Sequence, residues 1–277
     1  MATINVNGTT LYYERRGDGP PLLFISGATG DAGHWTDVAD ALADDYTVIT
    51  YDRRANSRSP RPENWTSTSV DEQADDAAAL LEALGLTPAV VYGNSTGSII
   101  LTDLALRRPD LLRAAIFHEP AYLAVTSVAE EVNGILEQLI GEGMAQGGSG
   151  KAVELFLRWI CDDEVYESFD LALRDRMLGN GDVLLGVEIE PILSYLPSPE
   201  RLAAVATPCI VAAGAGNRDR SPRGLWFVEA SQWLAEGLGA PLIDTPGRHV
   251  PQASHPRELV ETLRPILAEK PTDRART

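Results

Sequence analysis

Ser95 lies in the run Val90–Leu101, VVYGNSTGSIIL, where an apolar stretch breaks at Gly93 and resumes after Ser98. Six small or polar residues inside a segment that otherwise looks buried can form a surface loop. They can also form a tight turn that presents one serine. Gly93-Asn94-Ser95-Thr96-Gly97 fits G-x-S-x-G and falls between a predicted strand and a predicted helix, the setting in which this pattern carries a nucleophile. The serine then takes strained backbone angles, and glycines at 93 and 97 let strand and helix approach closely. The turn lifts the hydroxyl above the sheet edge. It also sets the Thr96 N–H at a helix N-terminus, where it can stabilise an oxyanion.

A serine nucleophile needs a base. The chain has four histidines, His34, His118, His249 and His255. His249 lies in DTPGRHVPQASHP, after the last predicted strand and before the last helix. A loop there, outside the carboxyl ends of the strands, can reach the serine. His255, six residues on, reads as a surface histidine. His34, next to Trp35 at a helix start, reads as a structural or pocket-rim residue.

The elements that must position these groups are legible as alternating runs. TINVNGTTLYYERR, with Asn7-Gly8 at its centre, predicts a hairpin. PPLLFISGATG is a short apolar run ending in a glycine-rich loop, and YTVITYDRR and AVVYG read as buried strands. SVDEQADDAAALLEALGL is an amphipathic helix with an acidic start, which suits the helix dipole. LRAAIFHEP, CIVAAG and APLIDTPG supply further strands, each followed by a helical or turn segment. Near-continuous apolar strands alternating with helices predict a parallel α/β sheet. The pattern lapses between about 121 and 204, where only helical stretches are visible, joined by a glycine-rich link, GEGMAQGGSGK, expected to be mobile. The expected organisation is a sheet domain over 1–120 and 205–277, with a helical insertion over 121–204. The final KPTDRART reads as a polar tail.

Four motifs together resemble the α/β-hydrolase superfamily over almost the whole chain. FISGATGDAGHW resembles the family's loop after its third strand, usually written His-Gly. YDRRANSRS resembles its Asp-x-Arg-Gly-x-Gly-x-Ser motif, YGNSTGS its nucleophile turn, and PGRHVP its histidine loop. The resemblance implies an eight-stranded, mostly parallel sheet flanked by helices, with residues 121–204 as a helical cap. It implies a second oxyanion donor at the Ala28 N–H. Ser26 stands where many members have histidine, and a serine there can still hold the loop by hydrogen bonds. Ala55 stands where glycine is usual, so that turn is expected to avoid positive φ. The family usually places its acid three residues after a glycine beyond the seventh strand, which here is Asn217. Asp219 lies two residues further, and some relatives carry the acid after the sixth strand, which here is Glu119. Glu119 is therefore the preferred acid and Asp219 the alternative.

A serine, a histidine and two N–H donors suit acyl transfer. Relatives that cleave haloalkanes or epoxides carry aspartate at the turn, so Ser95 points to an ester, lactone or thioester of a small, moderately apolar molecule. Carbon–carbon bond hydrolysis, or a non-hydrolytic cyclase or ligand-binding role on the same fold, is the alternative. The expected insertion carries Phe156, Trp159, Tyr166, Phe169, Met177 and Tyr195 as possible pocket lining, and Asn94, Trp159 and Met177 are the candidates for substrate contact. No cofactor or metal is implied, since neither a dinucleotide glycine motif nor H-E-x-x-H is present. The chain has 277 residues, with 23 basic against 40 acidic side chains and a formal net charge of −17. Such a chain is repelled by phosphate backbones and anionic lipid, so no nucleic-acid or membrane partner is expected. Cys161 and Cys209 are far apart and support neither a disulfide framework nor a zinc site. The N-terminus lacks the basic and apolar regions of a signal peptide, and the expectation is a cytoplasmic monomer or homodimer.

Overall fold

The computed structural model describes residues 2–268. The polar run from Lys270, expected to be a tail, lies outside the described residues.

Eight strands form one sheet: β1 (Ala2–Val6), β2 (Thr9–Arg16), β3 (Pro21–Ile25), β4 (Thr47–Tyr51), β5 (Ala89–Asn94), β6 (Leu112–His118), β7 (Cys209–Gly214) and β8 (Leu242–Thr245). Their order is β1-β2-β4-β3-β5-β6-β7-β8. The hairpin pairs β1 with β2 antiparallel, β2 meets β4 antiparallel, and every pair from β4 to β8 is parallel. The central strands are apolar almost throughout because both faces are covered. In β3, Leu22 and Phe24 pack with Trp35, Val38, Leu42, Leu259 and Leu263 on one face. Leu23 and Ile25 pack into the opposite core, with Ile99, Leu104 and Phe227.

The helices over the first face are α1 (Thr36–Leu42) and α12 (Pro256–Ala268), the latter preceded by the short α11 (Pro251–Ser254). The second face carries α2 (Val70–Ala83), α3 (Thr96–Arg107) and α10 (Pro222–Leu238). Helix α2 starts where Ser69 Oγ accepts the Glu72 N–H, a side-chain N-cap, and Gly85 takes φ 67° just past its end.

Between β6 and β7 the described chain is helical. It runs through α4 (Ala129–Cys161), α5 (Asp163–Ser168), α6 (Leu171–Gly179) and α7 (Gly181–Val183). A π turn (Leu184–Glu188), α8 (Ile189–Ser194) and α9 (Pro199–Ala203) complete it. The glycine-rich link expected to be mobile lies inside α4, which reverses at Gly147 and Gly148, the latter at φ 77°. Gly148 serves the left-handed turn and Gly143 serves packing. A Cβ on Gly143 would sit 2.2 Å from the Ala152 Cα, so the two arms of the reversal close on each other only through glycine. The Ala55 turn also departs from expectation, with φ 60°. Hydrogen bonds from Asn56 N to Arg53 O (3.0 Å) and from Asn56 Nδ2 to Arg54 O (3.0 Å) hold the turn and override the alanine's preference. Among the described residues, no helix is long and apolar enough to cross a membrane.

Candidate active site

The loops after β3, β5, β6, β7 and β8 meet at the carboxyl edge of the sheet. Ser95 occupies the junction of β5 and α3 with φ 57° and ψ −120°, a strained backbone for a residue with a Cβ. Its neighbours explain how the strain is held. Ser95 N donates to His118 O (2.9 Å), Ser98 N to Ser95 O (2.9 Å), and Ser98 Oγ to Gly93 O (2.7 Å). A Cβ on Gly97 would lie 2.2 Å from Ile25 O, and one on Gly93 would lie 2.5 Å from Gly97 O. Both glycines are therefore required by contact. The Ser95 hydroxyl makes no hydrogen bond to another described residue.

His249 Nδ1 lies 2.8 Å from Glu119 Oε2. Glu119 is fully buried one residue past β6, at φ 44°. Its other oxygen accepts from the Gly214 N–H (2.7 Å) and from Asn217 Nδ2 (2.6 Å). Burial alone would raise this carboxyl. The hydrogen bonds from His249 and from the Gly214 N–H oppose that penalty, and the carboxyl is held below its ordinary value. An ionised Glu119 fixes the His249 proton on Nδ1 and leaves Nε2 as an acceptor. The Phe227 ring stacks on the imidazole at 3.8 Å and 14°, which fixes its plane. Asn217 thus carries a donor to the Glu119 carboxylate. Asp219, the alternative, is not brought to the histidine. It bonds Ser221 Oγ (2.8 Å) and Arg248 Nη1 (2.8 Å). Burial raises it, and these partners together with the Ser221 N–H outweigh that and bring it down to about 2.

The other histidines divide as follows. Among the described residues the His255 ring bonds only its neighbour Ser254, and the residue is half-buried. His34 lines the chamber that holds Ser95 and His249, and its Nε2 is buried with no partner among the described residues. Burial pushes it down to about 4, so it is neutral near pH 7. His118 went unremarked in the sequence, although it directly precedes Glu119. It is fully buried, joins Asn94 Nδ2 (3.0 Å) to Thr245 Oγ1 (2.9 Å), and is likewise driven by burial down to about 4.

Two cavities meet at Ser95. The larger, about 640 Å³ with its open mouth, is walled almost entirely by apolar side chains, among them Leu136, Val153, Leu184, Ile192 and Trp226, with Ala28 and Thr96 beside the serine. The smaller, about 390 Å³, holds His249, His34, Phe169 and Met177. Phe156 and Ile160 separate the two and line both. The Ala28 and Thr96 N–H groups have no hydrogen-bond partner among the described residues. The Ala28 loop approaches the serine closely, since a Cβ on Gly27 would lie 2.9 Å from the Ser95 Cβ. Ser26 braces that loop, accepting from Trp35 Nε1 (2.8 Å) and donating to Asp31 O (3.2 Å).

Of the expected substrate contacts, Met177 lines the smaller cavity. Asn94 also borders it, but its side chain is committed to His118 and, at 3.1 Å, to the His249 carbonyl. Trp159 lines neither cavity. It stacks on Trp226 at 6.4 Å and faces an outer groove with Asp219, while Trp226 takes the lining position. Tyr166 is clamped between Arg158 and Arg174, and Tyr195 bonds Asp103 at 2.9 Å. Trp226 was readable only as one of two adjacent aromatics in GLWFVEA, and which of them faces a cavity is decided by the packing of α10.

Residues 20–152 match the family model described as the alpha/beta hydrolase fold. The chain is 33% identical over 270 residues to the uncharacterized hydrolase YraK of Bacillus subtilis, covering 97% of this chain and 96% of that one. Among solved structures it is similar to a thermophilic esterase from Thermogutta terrifontis (TM-score 0.78, 19% identity, 96% of this chain and 98% of that one). It is also similar to the enol-lactonase from Burkholderia xenovorans LB400 (TM-score 0.77, 18% identity, 97% and 100%). At these identities the two structures speak to the fold alone.

Proposed function

The chain belongs to the α/β-hydrolase family, and from that premise we propose that it is a serine hydrolase that cleaves a small ester or lactone, or a thioester, through an acyl-enzyme. The observation that carries this reading is the 2.8 Å contact between His249 Nδ1 and a buried, ionised Glu119, set beside a serine held at φ 57°. Ser95 Oγ attacks the substrate carbonyl as His249 Nε2 takes its proton. The Ala28 and Thr96 N–H groups hold the oxyanion. The tetrahedral adduct collapses, the bond to the leaving group breaks, and His249 returns the proton to that group. Water then attacks the acyl-enzyme by the same route and frees Ser95.

The two cavities support one placement of the two halves of the substrate. The leaving group must lie on the histidine side, because His249 protonates it, and that side is the smaller chamber with His34 and Met177. The acyl group then extends past Thr96 into the larger apolar cleft beneath the helical cap, residues 121–204. The relative named a hydrolase, 33% identical over 97% of this chain, supports hydrolysis as the reaction.

A series of p-nitrophenyl esters of rising acyl length tests the reading. kcat/KM should climb from acetyl to a medium-length chain and then fall, since each buried methylene contributes about 0.8 kcal/mol until the cleft is full. Ser95→Ala should lose activity by roughly 10⁴-fold or more on every member. A flat chain-length profile would remove the acyl assignment, and a Ser95→Ala protein with a tenth of wild-type activity would remove the nucleophile.

A further inference from the structure

Two charges are buried where the helical insertion meets the sheet domain. Arg53, in the turn after β4, is 1% exposed, and Glu188, the last residue of the π turn, is 0% exposed. Arg53 Nη1 lies 2.7 Å from Glu188 Oε1, and Nη2 lies 3.1 Å from Oε2. Glu188 also accepts from Asn56 Nδ2 (3.0 Å) and Gln73 Nε2 (3.3 Å), and Gln73 Oε1 accepts from Arg53 Nη1 (2.6 Å). A pair this dry is weak evidence for stability, because apolar side chains of the same volume often serve as well or better. A π turn inside a helical run is itself a feature found often at functional sites.

The position of the guanidinium gives the pair another use. Arg53 Nη2 lies 3.4 Å from the Gly27 carbonyl oxygen, which also accepts from Gly30 N at 3.3 Å. That carbonyl and the Ala28 N–H are the two ends of one peptide group. The peptide is trans, so they point in opposite directions. A cation at the carbonyl end fixes the plane of the peptide. It also draws electron density toward the oxygen, which strengthens the N–H as a donor, as in any polarised hydrogen-bond chain. The same loop is held from the insertion at two further points. Asn180 Nδ2 donates to Thr29 O (2.9 Å), and Arg176 Nε lies 2.5 Å from Asp31 Oδ2.

Resting on the reading of Ala28 N–H as an oxyanion donor, we propose that Arg53, held by Glu188 of the insertion, is a positioning residue that orients and polarises the Gly27–Ala28 peptide. The oxyanion site is then complete only when the π turn is seated on the sheet domain. Such an effect belongs to the transition state, where charge appears on the oxygen, and it leaves ground-state binding nearly alone.

The test compares a p-nitrophenyl ester with its thionoester, in which sulfur replaces the carbonyl oxygen and accepts hydrogen bonds poorly. The double variant Arg53→Met/Glu188→Leu removes both charges without leaving one unpaired. Its kcat on the ester should fall about 10–100-fold, somewhat less than for loss of a whole oxyanion donor. KM should stay within about twofold, and the thionoester loss should be several-fold smaller. Arg53→Lys keeps the charge but not the fork that spans Glu188 and Gly27. It should show the same split, and it serves if the double variant does not fold. A folded variant that keeps its kcat on the ester, or loses equally on both substrates while Ser95→Ala is inactive, overturns the positioning role alone. An active Ser95→Ala overturns the nucleophile reading and this proposal with it.

Discussion

Glu119 enters the left-handed region between His118 and Pro120, and that turn aims its carboxylate at His249 while its other oxygen takes Gly214 and Asn217. A buried carboxylate is costly unless its lone pairs are used, and here three donors use them. Glu119→Gln keeps the size but lets the imidazole settle in the wrong tautomer. kcat should drop by roughly 10³–10⁴-fold, as for other triads that lose the acid's charge. Asp219→Asn should stay within about twofold, because its partners are Arg248 and Ser221 on the surface. Side-by-side kcat measurements decide it, and a collapse in Asp219→Asn with Glu119→Gln intact would reassign the acid. The alternatives at 119 and 219 could not be separated from the sequence because both follow strands. Only the parallel pairing of β6 with β7, which sets Gly214 and Asn217 against residue 119, distinguishes them.

At the scale of elements, what depends on local pattern was legible and what depends on facing was not. The strands β3 to β7 announced themselves as apolar runs because helices cover both faces of the sheet. The β5–α3 turn was legible because Gly93 and Gly97 sit where a Cβ would strike backbone at 2.5 and 2.2 Å. The hidden features are tertiary. Gly143 looked like part of a slack linker, yet it is the point at which α4 closes on itself. Ala55 looked incompatible with positive φ, yet hydrogen bonds from Asn56 impose it. Trp159 and Trp226 are equally apolar in sequence, and only the packing of α4 against α10 turns one outward and the other into the cleft. The Arg53–Glu188 pair joins residues 135 positions apart, a separation no local pattern reports.

For the molecule as a whole, His34 and His118 predict how stability follows pH. Each is buried and neutral near pH 7, shifted from its ordinary 6.5 to about 4. Between those values the unfolded chain binds a proton that the native state refuses, so stability falls as pH drops from about 6.5 toward 4. Each histidine contributes a slope of about 1.4 kcal/mol per pH unit there. Urea unfolding of the wild type at pH 7, 6 and 5 should show this loss, and His118→Asn should reduce the slope by about one proton. Identical slopes in the two proteins would mean that His118 is not held neutral by the fold. Stability, however, bears on the scaffold, and the central claim is that this scaffold presents one nucleophile. Intact-mass and peptide mass spectrometry after treatment with a fluorophosphonate addresses it directly. The account predicts one adduct per chain on the peptide carrying Ser95, rising in step with loss of esterase activity and absent from Ser95→Ala. Catalytically active protein that gains no adduct, or gains it on another residue, would contradict it.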